Sequence, residues 1–166
     1  MAQKYPLSKK ERRGLAEEIR RHSSQLASAI LSANEVVIIR TRVGKRKVTI
    51  YLIDMFPALV KENDIIFPTI YLVRRISWKP FVVVDKGAAE RIAKGAHVMV
   101  PGIVKVSEDF EKGEVAVVYD EEEKPIAIGL ALMSKEEIER SRRGKALRNL
   151  HYDKDKICKL MATLLA

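Results

Sequence analysis

The feature that most limits the fold is a rhythm of short, β-rich apolar runs in the second half of the chain, closed by turn residues. Residues 81–84, 97–100, 114–119, 125–132 and 146–150 are such runs, separated by Pro101-Gly102 and by an acidic turn over 120–124. Runs this short, rich in Val and Ile and bounded by Gly, Pro and Asp, read as strands rather than helices. Asp85 is placed to cap a helix over 86–94, and Gly95 suits its left-handed end. Ser134 with Glu137 forms a capping box for a helix of one or two turns. Asp153 starts a C-terminal helix carrying Ile157, Leu160, Met161, Leu164 and Leu165. Many short strands with compact turns point to a small barrel.

The first half has a different texture. Leu15, Ile19, His22, Leu26 and Ile30 recur at helical spacing, so residues 8–33 read as one amphipathic helix, opened by the capping box Ser8/Glu11. His22 lies on the apolar stripe as a core or boundary residue, and Lys9, Lys10, Arg12, Arg13, Arg20 and Arg21 form the outer face. Asn34 breaks the helix. Residues 36–40 and 47–53 are β-rich and joined by a hairpin turn over 42–46. Residues 54–63 read as a loop or short helix, and 70–73 as a short strand after Pro68. The pattern changes at Ser77-Trp78-Lys79-Pro80, which puts a domain boundary there: 1–78 and 79–166. A chain of 166 residues can hold two small domains.

Charge separates the halves. Residues 1–80 hold 16 basic and 7 acidic groups, whereas 81–166 hold 15 of each, so the whole surplus of +9 lies in the first half. A surplus so confined suits a polyanion partner. Arg40, Arg42, Lys45, Arg46, Lys47, Arg74 and Arg75 are the basic surface expected of the N-terminal strand region, with Arg40 and Arg42 on one strand face. With 47% apolar residues the chain is expected to fold. The N-terminus lacks an apolar signal core and no stretch approaches 18 apolar residues, so neither a secretory signal nor a membrane span is expected. On charge alone RNA, DNA and an anionic membrane all qualify as the polyanion, and RNA rather than a membrane is the expected partner. A single thiol, Cys158, makes no intrachain disulfide, which fits a reducing, cytoplasmic setting.

Catalytic patterns are missing. His22, His97 and His151 have no metal-ligand spacing, Gly144-Lys145 lacks the rest of a phosphate loop, and Gly87 and Gly95 make no dinucleotide fingerprint. Asp54 reads as a surface or capping acid, and Cys158 as a small core residue. The expectation is a protein that is not an enzyme and holds no cofactor or metal. Nucleic-acid features are positive. The helix at Lys86-Gly87-Ala88 offers free N–H groups and close approach to a phosphate. Arg140, Arg142, Arg143, Lys145 and Arg148 place five charges within nine residues. Aromatic residues are only 6%, so recognition should rest on phosphate contacts and shape rather than on an aromatic stacking platform.

The strings Val83-Val84-Asp85-Lys86-Gly87-Ala88, Gly95-Ala96-His97-Val98-Met99-Val100-Pro101-Gly102-Ile103 and Pro125-Ile126-Ala127-Ile128-Gly129-Leu130-Ala131-Leu132-Met133-Ser134 resemble a PUA domain. With Phe67-Pro68-Thr69-Ile70-Tyr71-Leu72-Val73 before it and Asn149-Leu150-His151-Tyr152 after it, the chain resembles the malignant-T-cell-amplified-sequence, or ligatin-like, family of translation factors, in an archaeal-type form. The resemblance implies an α+β chain with an N-terminal α/β domain followed by a PUA pseudobarrel. It implies a non-enzymatic RNA-binding protein of translation that contacts tRNA or the small ribosomal subunit in initiation, reinitiation or recycling, with a density-regulated-protein-like partner. The RNA, a tRNA 3′ end or rRNA, would lie along Lys86, Gly87 and Ala88, then Val100, Pro101 and Gly102, then Lys145, Ala146 and Leu147, with Arg142, Arg143 and Arg148 nearby. A ribosome-biogenesis factor of the Nip-seven type, binding pre-ribosomal RNA, and an accessory protein of RNA modification are the alternatives.

Overall fold

The computed structural model describes residues 2–166, which fall into two units: residues up to Ser77 with Leu160–Ala166, and Trp78–Lys159. The C-terminal helix, read from the sequence as part of the second domain, is therefore divided, its last turns grouping with the first unit.

The first unit opens with β1 (Gln3–Pro6), α1 (Lys9–Arg20) and α2 (Ser24–Ser32). Two helices replace the single one expected over 8–33. Ser23 is extended, with φ −159°, and its hydroxyl accepts from the Leu26 N–H at 3.1 Å, so it starts a new helix instead of continuing the old one. Leu15, Ile19, Leu26 and Ile30 are buried across both helices, which is why the periodicity reads as continuous. The Ser8/Glu11 capping box forms as expected. Arg12 leaves the outer face: its guanidinium donates to the Ile30 and Ala33 carbonyls at 2.8 and 2.6 Å, satisfying acceptors at the end of α2.

Four more strands complete an antiparallel sheet in the order β1-β2-β3-β4-β5: β2 (Val36–Val43), β3 (Arg46–Ile53), β4 (Phe56–Glu62) and β5 (Ile65–Pro68). The expected loop over 54–63 is thus mostly a strand. Its flanking turns, Asp54-Met55 and Asn63-Asp64, take positive φ at all four residues (46, 69, 49 and 65°) without any glycine to signal a hairpin. Asp54, in the first of them, accepts from the Asn34 and Glu35 N–H groups that lead into β2, so it serves the sheet rather than a helix end. The expected strand over 70–73 is a short helix, α3 (Ile70–Val73), because the Thr69 hydroxyl caps it by accepting from the Leu72 N–H.

The second unit keeps the expected order of elements and adds a strand, β8, that was not expected after Pro101-Gly102: β6 (Phe81–Val84), α4 (Lys86–Ile92), β7 (Val98–Met99), a 3₁₀ turn (Val100–Gly102), β8 (Ile103–Val106), β9 (Val115–Tyr119), β10 (Pro125–Ala131), α5 (Lys135–Arg140), β11 (Lys145–Tyr152) and α6 (Lys156–Leu164). The strands form one sheet in the order β7-β11-β10-β9-β6-β8, with β6 parallel to β9 and every other pair antiparallel. This is the nearly closed pseudobarrel the short strands implied. Val82, Val84, Ile92, Val98, Phe110, Val118 and Leu147 fill it, and the indole N–H of buried Trp78 donates to the Val115 carbonyl at 3.0 Å. The start of α6 is set by Asp155 rather than Asp153. The Asp155 carboxylate accepts from the Cys158 and Tyr152 N–H groups and meets His151 Nδ1 at 2.8 Å.

Candidate nucleic-acid interfaces

In the first unit the strand register decides which cations meet. Gln3 lies opposite Arg40, Arg40 opposite Thr49, Thr49 opposite Lys61, and Arg42 opposite Lys47. Directly opposed residues of an antiparallel sheet share a face, as do residues two apart on one strand. Arg40, Arg42, Lys47 and Lys61 therefore occupy one face, around a surface cavity of about 570 Å³ that Asn63 and Asp64 close. Arg40 stacks on Tyr5, its guanidinium carbon 5.0 Å from the ring centre. Arg42, Lys47 and Lys61 form no ion pair among the described residues.

The other expected cations do not join them. Arg46 points to the opposite face and grips Glu62 through two bonds of 2.9 and 2.7 Å. Lys45 sits at the hairpin tip beside Gly44, whose φ of 62° the tight turn requires. Arg74 and Arg75 follow α3 and lie over Tyr71 and Phe56; Phe56 opens β4 at the end away from Lys61. Lys61 was missed because 54–63 did not read as a strand.

In the second unit the three expected segments do come together. The Asp85 N–H donates to the Gly102 carbonyl and the Val100 N–H to the Gly144 carbonyl, each at 2.9 Å. The 3₁₀ turn is thereby held between the start of α4 and the start of β11. Their side chains differ in what they can offer. Lys86, Gly87, Pro101 and Lys145 are exposed, whereas Ala88, Val100, Gly102, Ala146 and Leu147 are buried and serve the core. The two glycines also differ. A Cβ on Gly102 would stand 2.5 Å from the Ala88 Cβ, so packing demands glycine there. A Cβ on Gly87 would meet nothing closer than 3.7 Å, and nothing inside the fold requires its absence. Asp85 caps α4 by accepting from the Ala88 N–H at 2.8 Å, which places a carboxylate where a phosphate was expected.

His97 was set aside in the sequence and belongs to this region. Its Nδ1 accepts from the Asn149 N–H at 2.9 Å, so the neutral ring carries its proton on Nε2. Burial lowers its pKa, and the charges of Lys145 and Arg148 lower it further. Asn149 ties the same corner to α4 by donating to the Ile92 and Ala96 carbonyls. Arg142 lines a groove of about 660 Å³ between β8 and α5, which Val100 and Pro101 also line; Arg143 and Arg148 are exposed.

Comparison with known proteins supplies a family. The PUA-domain family matches residues 80–152, and a domain of unknown function, DUF1947, matches residues 3–76. An uncharacterized protein of Methanocaldococcus jannaschii is 43% identical over 110 residues, 65% of this chain and 68% of that protein. The chain belongs to the PUA-domain family. This PUA-domain protein is also 37% identical over 83 residues to Translation machinery-associated protein 20 of Schizosaccharomyces pombe, covering 47% of this chain and 46% of that one. It is 29% identical over 97 residues to Malignant T-cell-amplified sequence 1 of Rattus norvegicus, covering 54% and 52%. The PUA-domain chain therefore spans about half the length of these two relatives. A hypothetical protein from Pyrococcus horikoshii OT3 has a crystal structure that superposes with a TM-score of 0.81 at 31% identity, covering 96% of this chain and 99% of that one. A PUA domain from Aeropyrum pernix K1 does so with a TM-score of 0.80 at 30% identity, covering 98% and 92%. The family resemblance read from the second half thus holds.

Proposed function

We propose that this PUA-domain protein binds RNA in translation, taking a single-stranded tRNA end on the strip formed by Lys86, Gly87, Pro101 and Lys145, and phosphates of the small ribosomal subunit on the basic sheet face. The observation that carries the reading is the contrast between the two glycines at the strip. Gly102 has an internal reason to be glycine, the Ala88 Cβ, and Gly87 has none. Close approach of a ligand backbone to residue 87 supplies the missing reason. The relatives named for translation machinery support the setting.

The test compares intact tRNA with tRNA trimmed of its 3′ CCA, at matched salt, on the full chain and on Gly87→Leu. Trimming should weaken binding to the unaltered protein, and Gly87→Leu should weaken binding of intact tRNA about tenfold, the scale of one or two lost charge-assisted contacts. If neither change alters affinity, the strip is not the site. Co-sedimentation with small subunits tests the second surface. Binding only to pre-ribosomal particles would favour a role in ribosome assembly.

A further inference from the structure

The groove beside the strip has a composition the strip lacks. Among the described residues of the second unit, the exposed large hydrophobic side chains are Met99 and Val104, 46% and 58% exposed. They bracket the 3₁₀ turn that carries Pro101. Met99 lies opposite Lys145, at the strip, whereas Val104 lies in the groove between β8 and α5. Val104 is left without a partner where the β6–β8 register shifts, since Val83 opposes Lys105 and Val84 opposes Ile103. Met99, Pro101 and Val104 thus make an apolar path from one site to the other, on a domain poor in aromatic side chains.

Charge favours an anion along that path. Lys135 is held by Glu108 at 3.1 Å and Glu139 at 3.6 Å, so the groove's two carboxylates face an internal partner. Lys105 and Arg142 form no ion pair among the described residues. The volume of about 660 Å³ falls in the range of small-ligand sites. An apolar floor between two cations free of ion pairs, one of them Lys105 with its ammonium over the Phe81 ring, suits a base with its phosphate, and a positively charged groove that tracks the backbone suits single-stranded RNA.

We infer that the groove between β8 and α5 holds one unpaired nucleotide of the RNA end, its base on Val104 and Pro101 and its phosphate between Lys105 and Arg142. This rests on the strip being an RNA site. It extends that site by a position and makes the turn at Pro101 the ridge the strand crosses.

The experiment measures binding of intact and CCA-trimmed tRNA to the full chain and to Val104→Glu and Arg142→Glu, with circular dichroism as the check on folding. Each substitution should weaken intact tRNA about tenfold, the effect of about 1.4 kcal/mol, and should leave the weaker binding of trimmed tRNA unchanged. A 4-thiouridine replacing a base of the single-stranded 3′ end should crosslink to the peptide containing Val104. If the protein binds intact tRNA better than trimmed and both variants do too, the strip stands and the groove proposal falls. If the unaltered protein does not distinguish the two RNAs, both fall. Equal weakening of intact and trimmed tRNA by the variants also overturns the proposal, since the groove would then not be reading the end.

Discussion

The basic face of the N-terminal sheet gives the sharpest quantitative test. Replacing Arg40, Arg42, Lys47 and Lys61 together by glutamine removes the four cations that the register places on one face. If each neutralises one phosphate, the slope of log K against log salt should become shallower by about 3.6 on a duplex and about 2.8 on single strands. Over a fourfold rise from 50 to 200 mM salt, a slope difference of 3.6 amounts to about 10²-fold in affinity. The assay is filter binding of a structured RNA across a salt series, with the full chain in both forms. Arg46→Gln is the internal control. Arg46 belongs to the same run of basic residues but faces the other way and is bound to Glu62, so its loss should leave the slope unchanged. A quadruple variant that keeps the original slope would refute the reasoning. So would an equal effect from Arg46, because charge count rather than facial placement would then be what matters.

The remaining tests address the second unit. Gly102→Ala should destabilise by about 1–3 kcal/mol through overpacking against Ala88, read as a lowered melting temperature that Ala88→Gly restores; an unchanged melt would mean the turn yields freely. Lys145→Ala should raise the His97 pKa toward its ordinary value, followed by NMR titration of the ring, because Lys145 is one of the charges that depress it beyond the effect of burial. With its folded pKa lowered, His97 lowers stability as pH falls below about 6.5, and the Lys145 variant should show less of this loss. Burial would raise the Asp155 carboxyl, but the hydrogen bond and charge of His151 and the N–H groups of Cys158 and Tyr152 outweigh it and bring its pKa below the ordinary value. Its contribution is therefore full above about pH 4 and is lost as pH falls through the lowered folded value. Asp155→Asn should flatten that part of the acid-denaturation profile; an unaltered profile would place acid sensitivity elsewhere.

What could be read from the chain depended on whether the signal was local. The capping residues Ser8, Asp85 and Ser134 sit beside the N–H groups they bind, and all three act as their spacing implies. The strand β4 was hidden because its turns place Asp, Met, Asn and Asp at positive φ, where glycine would have announced them. Losing β4 also lost Lys61, and the basic face could not be assembled without the register that sets Lys61 opposite Thr49. Arg12 and Arg46 show the converse. Each looks like surface charge in sequence, and each is engaged by a group 16 or more residues away, Ile30 and Glu62. In the PUA half the family strings located the right segments, but not which side chains emerge from them. Val100, Ala146 and Leu147 lie in the expected groove segments and serve the core, while His97, inside the 95–103 string but not among the expected groove residues, faces the cations of β11.

The chain has one tryptophan, Trp78, which is buried and opens the Trp78–Lys159 unit, its indole N–H donating to the Val115 carbonyl of β9. Intrinsic emission excited at the red edge consequently comes from one site, and it follows the loss of the Trp78–Val115 bond within that unit. A denaturation curve followed by this emission reports the pseudobarrel, whereas far-ultraviolet dichroism sums both units. Superimposable curves would mean one cooperative transition, and separated curves would give the N-terminal sheet a stability of its own.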